Sequence, residues 1–255
     1  MNTAALDFSI LWPALAAGLL VTATHVPLGV QVLSRGIVFI DLAIAQIAGL
    51  GVIAAAWVGL EPQGWVTQAC ALLAALAGAL LLTWTEKRWP EVQEAIIGVS
   101  FVLAASGALL LVASNPHGGE HLKELLVGQI LWVTPGRLAL VALVYAAILW
   151  IWFMYGERFG RIGFYALFAC TVTISVQLVG LYLVFTTLIV PALAVRHFSL
   201  HRLAIGYALS ATGYALGLIL STLTDLPSGP AVVWAMTATA MMVFVLLGLR
   251  RAGTG

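Results

Sequence analysis

The sequence predicts an all-α fold: one polytopic helical bundle that crosses a membrane eight or nine times. Three observations carry that expectation. Of 255 residues, 62% are hydrophobic and only 8% charged, and the mean hydropathy is +1.08. A soluble domain of this length needs far more charge to cover its surface. The apolar residues also fall into runs of bilayer-crossing length, about 20 residues each, with polar and glycine-proline punctuation between them.

Taken in order, the apolar runs are 10–33, 37–60, 65–84, 95–113, 138–154, 164–180, 181–195, 203–222 and 231–249. They make nine crossings, or eight if the junction at Gly180 is continuous. The first run follows MNTAALDFSI, which carries no basic residue; it lacks the form of a cleaved signal peptide and is expected to be retained. Residues 122–134 are apolar but too few to span, and they stop at Val133-Thr134-Pro135-Gly136. They predict a short helix at the outer face. Gly49, Gly51, Gly98, Gly107, Gly206, Gly213 and Gly217 lie inside runs, where small residues let helices approach closely in lipid. No repeat, low-complexity tract or linker divides the chain, so residues 1–255 form one transmembrane domain.

Charge sets the expected orientation. With the N-terminus outside, the inner links hold Arg35, Lys87, Arg88, Arg158, Arg161, Arg196, Arg202, Arg250 and Arg251, leaving only Lys123 and Arg137 outside. Cytoplasmic loops accumulate Lys and Arg, so an odd number of crossings and a cytoplasmic C-terminus follow. The net charge is +1 with no basic stripe, which excludes a nucleic-acid surface. Cys70 and Cys170 both fall within apolar runs and suggest neither a disulfide framework nor a zinc knuckle.

The chain contains no GxxxxGK[ST], HExxH or GxSxG sequence. Nucleotide hydrolysis and the common hydrolase chemistries therefore have no site here, and energy from ATP must come from a partner. Of the polar residues at membrane depth, Asp41 and Gln46 stand out in GIVFIDLAIAQIAGLGV (36–52). Ionisable groups there default to a functional hypothesis. Asp41 reads either as part of a translocation path or as an acid pairing with a base or capping a helix end. Gln46 reads as a path residue or as an interhelical hydrogen bond. Five positions separate them by about 140° around a helix, so they cannot chelate one ion together.

A second cluster is the outer link holding His117, Glu120, His121 and Glu124. Imidazole nitrogen and carboxylate oxygen suit zinc and manganese, and the glycines at 118 and 119 let His117 fold back toward Glu120 and His121. The plain alternative is a polar loop. His25, inside the first run, reads as hydrogen-bonded packing or as a ligand; His197 and His201 read as interfacial. Glu94 reads as a cap for its own helix.

Together these pieces resemble the membrane subunits of bacterial ABC importers for zinc, manganese and iron. The likeness is carried by PLGVQVLSRGIVFIDLAIAQIAGLG (27–51), QEAIIG (93–98), LLVGQILWVTP (125–135), and VGLYLVFTTLIVPALAVRHF (179–198) with LPSGPAVV (226–233). It covers nearly the whole chain in order. The resemblance implies a type II importer-like bundle in the bacterial inner membrane. It implies a homodimer with the pathway on its twofold axis, a cytosolic ABC ATPase below and an extracytoplasmic metal-binding protein above. It implies no permanently bound cofactor, with the metal as cargo and ATP used by the partner. The family's ATPase-docking segment falls at residues 156–163, where Arg158, Phe159 and Arg161 are the expected contacts.

One departure matters. The family commonly places an acid and a histidine four residues apart early in its second helix, whereas here Asp41 is followed at that spacing by Ala45. Three alternatives stay open: Asp41 and Gln46 pass a more hydrated ion, recognition lies at His117, Glu120 and His121, or the cargo is not the usual zinc or manganese. A metal chelate would suit a ligand-poor path. An intramembrane enzyme would need a convergent nucleophile or metal set, which Asp41, Gln46, His25 and Gln177 do not supply. A proton-coupled carrier would run without an ATPase and stop on Asp41→Asn.

Overall fold

A computed structural model describes residues 8–61, 64–112, 130–155, 160–196, 198 and 201–252. Among them are nine α-helices: α1 (Phe8–Arg35), α2 (Ile40–Trp57), α3 (Trp65–Arg88), α4 (Gln93–Val112), α5 (Pro135–Tyr155), α6 (Gly160–Val179), α7 (Leu181–Ala194), α8 (Arg202–Thr224) and α9 (Ser228–Ala252). Seven are long and apolar enough to cross a bilayer. At 14 residues, α7 rises about 21 Å, short of a hydrocarbon core of about 30 Å.

The soft junction at Gly180 resolves into a break. Gly180 adopts φ 87° and ψ 161°, a region essentially reserved for glycine. Its amide closes α6 on the Val176 carbonyl at 2.8 Å, and its carbonyl opens α7 by accepting from Val184 N–H at 3.1 Å. One residue thus ends one helix and starts the next.

Contacts fix the helix directions. A Cβ on Gly18 would meet the Tyr214 ring and one on Gly206 would meet Val26, so α1 and α8 are antiparallel. Thr187 on α7 bonds the Tyr214 hydroxyl at 2.8 Å while Gly206 packs near Pro191, so α7 also opposes α8 and runs with α1. Gly213 and Gly217 sit against Met236 and Val232 of α9. These close approaches need residues without side chains. Gly51 does the same against α3, but Gly98 faces open space. Among the described residues no tight contact is made at Gly98, and most of α4 is uncovered.

The up-and-down path brings Arg35, the end of α3 with Lys87 and Arg88, Arg161 and Arg202 to one end of the bundle. Trp84 and Trp89 form an edge-to-face pair at that end, 5.3 Å apart. Trp57, Trp65 and Trp132 are exposed toward the other, as expected of aromatic belts. Of the short helix expected over 122–134, residues 122–129 lie outside the described residues. Its tail, Ile130–Trp132, is a 3₁₀ turn with Ile130 buried, against α1.

Candidate functional site

The charged end of the bundle is built on a short link, residues 36–39, that joins α1 to α2. Gly36 takes φ 70°, turning the chain after Arg35, and Ile37 N–H donates back to the Val32 carbonyl at 3.3 Å. Asp41 follows at the second position of α2. It is fully buried, in the helix's first turn, with Ile40, Ala43, Ile44 and Ala45 also buried around it.

Neither Asp41 oxygen makes a hydrogen bond of good geometry among the described residues. The amides of Asp41 and Leu42 stand close. These are free first-turn N–H groups, and they attract an anion through the helix dipole. Of the two plain readings of Asp41, the helix-end one fits this geometry. Pairing with a base does not: the nearest candidate in sequence, Arg35, lies instead over the Phe164 ring, 4.1 Å from its centroid. What remains is a carboxylate buried at the charged end of the bundle, with most of its acceptor capacity unused among the described residues.

Gln46 lies half-buried on a different side of α2 from the fully buried Asp41, as their spacing requires. The interhelical hydrogen bond considered for it is not made among the described residues. Beside the start of α2, the exposed Phe39 ring stacks on Phe185 of α7 at 6.4 Å and 4°. That pair stands where α2 and α7 meet.

The start of α4 is locked first and then reaches across. Gln93 donates to the Leu82 carbonyl at 3.0 Å and accepts from the Thr85 hydroxyl at 3.0 Å, so α4 begins fixed to the end of α3. Glu94, the next residue, accepts from Val38 N–H at 2.7 Å. Glu94 lies in the first turn of α4, where the dipole favours its charge as expected, but one of its oxygens also reaches out of the helix to the α1–α2 link. An acid in a first turn gives the same local signal with or without that reach.

Arg161 lies in the first turn of α6, its Nε 3.8 Å from Glu86 Oε1. The other Glu86 oxygen is buried without a hydrogen bond among the described residues, and Tyr165 on α6 faces Glu86 and Gln93. Arg158 and Phe159, expected beside Arg161 as docking contacts, lie outside the described residues. So do His117, Glu120 and His121.

His25 is fully buried on α1. Its Nδ1 lies 3.0 Å from the Val21 carbonyl, which can only accept, so that nitrogen carries the proton in the neutral ring. Thr24 Oγ1 is 3.0 Å away as well, and Nε2 has no partner among the described residues. This matches hydrogen-bonded packing. His201 takes a left-handed φ of 58° just before α8, and Cys70 and Cys170 are free thiols. Among the described residues no three His, Cys, Asp or Glu side chains converge on a common point.

What sequence reasoning missed is the set of links around residues 36–39: Glu94 to Val38, Arg35 to Phe164, Arg161 to Glu86. The available signal was the gathering of charged residues at run ends that share one side of the bundle.

Comparison with known proteins places this arrangement. The family model for the ABC 3 transport family matches residues 7–164 and 156–247. The zinc uptake membrane protein ZnuB of Haemophilus influenzae is 23% identical over 248 residues, 89% of this chain and 93% of that protein. A Chlamydia trachomatis protein named as a "Probable metal transport system membrane protein" is 23% identical over 206 residues, 72% of this chain and 70% of its own length. The fold matches PsaBC from Streptococcus pneumoniae in complex with Fab, with a TM-score of 0.76 at 19% identity, covering 93% of this chain and 92% of the matched one. A helical bundle with its charge gathered at one end, matched along nearly its whole length, belongs to the ABC 3 transport family, the membrane-spanning permeases of ABC transporters.

Proposed function

We propose that this chain is one half of the transmembrane conduit of an ATP-driven importer. Its cargo is a divalent transition metal ion, zinc, manganese or iron, carried across the bacterial inner membrane. It works as a homodimer, with a cytosolic ABC ATPase and an extracytoplasmic metal-binding protein as partners. The end holding Arg35, Lys87, Arg88, Arg161 and Arg202 faces the cytoplasm, consistent with the bias of inner loops toward Lys and Arg. On this orientation the N-terminus is outside and the C-terminus inside.

The observation that carries the reading is Asp41. A carboxylate buried inside the bundle, with no basic partner among the described residues, is costly, and a pathway for a cation gives it a use. One oxygen ligand passes a divalent ion without trapping it, since tight divalent sites gather several ligands. Gln46, half-buried farther along α2, offers a neutral oxygen on the way. At the outer link His117, Glu120 and His121 supply a first contact for the incoming metal. At the inner side Arg158, Phe159 and Arg161 receive the ATPase. The chain contributes no nucleotide site of its own and retains no cofactor; the metal is its cargo.

The test is reconstitution of the permease with its ATPase and binding protein in vesicles, with zinc, manganese and iron accumulation measured in parallel. The parent should accumulate at least one of them only with ATP, Asp41→Asn should reduce that accumulation at least tenfold, and the permease alone should hydrolyse no ATP. Parent-level accumulation by Asp41→Asn, His117→Ala and His121→Ala alike would remove all three from the path.

A further inference from the structure

The link between α1 and α2 is held from outside by two side chains, and both lead to elements at the charged end. Glu94 at the start of α4 accepts the Val38 amide at 2.7 Å. Arg35, the residue before the Gly36 turn, lies over Phe164 of α6, 4.1 Å from the ring centroid. Phe164 is buried and stacks on Phe168 at 5.8 Å, with Trp152 of α5 at 6.1 Å. The arginine therefore rests on a rigid aromatic platform that belongs to α6. Asp41 begins two residues after the link ends.

These restraints differ in strength. A short hydrogen bond from an amide to a carboxylate is the firmest, a guanidinium over a packed ring is weaker, and the Arg161 to Glu86 pair is weakest. That last pair is 3.8 Å apart, with Arg161 half exposed at 51%. The cluster is also incompletely satisfied: Glu86 Oε2 and Glu94 Oε2 are buried without hydrogen bonds among the described residues. Spare acceptor capacity on Glu86, beside the Arg161 guanidinium, lets that pair repartner as the first turn of α6 shifts, while the Glu94 anchor holds the far side of the link to α3 and α4.

We propose that Arg35 and Glu94 are positioning residues for transport: they clamp residues 36–39 so that displacement of the first turn of α6 is delivered to Asp41 as a reorientation of the start of α2. This rests on the reading that the ATPase is met at the leading end of α6. Gly36, at φ 70°, is the point about which the link turns. Neither residue touches the cargo; each sets where Asp41 stands.

The test uses the complete transporter in vesicles, with zinc, manganese and iron as the probes, and reads metal ions moved per ATP hydrolysed. Arg35→Ala and Glu94→Ala should keep ATP hydrolysis within about twofold of the parent and lower metal moved per ATP at least fivefold. Arg35→Lys, which keeps a cation over the ring, and Glu94→Gln, which keeps an oxygen acceptor, should return the ratio to within about twofold. If Glu94→Ala does not assemble, Phe164→Leu removes the platform while preserving apolar bulk, and should lower the ratio in the same way. An unchanged ratio in the alanine or leucine variants, or a parallel fall in both rates that the conservative variants do not rescue, overturns the clamp. A parent complex that moves none of zinc, manganese and iron under ATP overturns the transport reading itself and the clamp with it.

Discussion

The Tyr207 hydroxyl on α8 donates to the Ala23 carbonyl on α1 at 3.3 Å. That carbonyl is free because the residue four places on is Pro27, inside α1, which has no N–H to give it. In lipid an orphaned carbonyl needs a partner from a neighbouring helix, and Tyr207 supplies it. Tyr207→Phe should therefore destabilise the permease by about 1 kcal/mol. In a Pro27→Ala background, where the substituted residue regains an N–H that serves the carbonyl, the same change should cost close to nothing. Unfolding titrations of the four proteins in detergent give the coupling directly. Equal losses in both backgrounds would show that the hydroxyl acts elsewhere.

Gly180 carries a different constraint. A side chain at φ 87° and ψ 161° is strained by about 1–3 kcal/mol, and the strain falls on a junction where Leu178, Val179 and Leu181 are all buried. Gly180→Ala should sharply reduce the folded fraction. The alternative is that α6 and α7 shift to relieve it. Monodispersity by size exclusion, compared with the neighbouring Val179→Ala, separates a backbone effect from simple loss of packing.

The parts of the fold that local pattern carries were legible. Run lengths set by the bilayer gave the helices, and the distribution of Arg and Lys gave the charged end. The resemblance at 27–51 and 179–198 pointed to the transporter class. The links around residues 36–39 were not legible, because Glu94 and Val38 are 56 positions apart and interhelical register leaves no mark in either local sequence. Asp41 stands out in the sequence as an acid within an apolar run. That it has no basic partner among the described residues depends on Arg35 being drawn to Phe164 on another helix.

Glycines that look alike in sequence divide by what surrounds them. A Cβ at Gly98 meets nothing, whereas at Gly217 it would strike the Val232 backbone and side chain. Gly98→Ala should stabilise the protein by about 0.5–1 kcal/mol, the usual helical gain of alanine over glycine. Gly217→Ala should destabilise it, since α8 and α9 must separate to admit the methyl group; overpacking of this kind typically costs about 1–3 kcal/mol. Thermal unfolding in detergent should move in opposite directions for the two variants. A loss at Gly98 would place a second surface, such as a partner subunit, against that side of α4.

Asp41 should trade stability against transport. Its carboxylate gains from the first-turn amides of α2, an effect of about 0.3–1 kcal/mol, up to about 2 where partly buried. Burial without a compensating hydrogen bond costs more, with neutral polar groups alone at about 1–3 kcal/mol in mutational data and charged ones higher. The burial term wins. Asp41→Leu, similar in size and free of that penalty, should leave the isolated permease at least as stable as the parent, while Asp41→Asn should lie between the two. Both should lose metal accumulation, because neither offers an anionic oxygen to the cargo. A thermal midpoint in detergent and accumulation in vesicles, measured on the same preparations, test both halves. If Asp41→Leu loses stability as well as transport, the carboxylate is a structural cap whose helix-end contribution exceeds its burial cost.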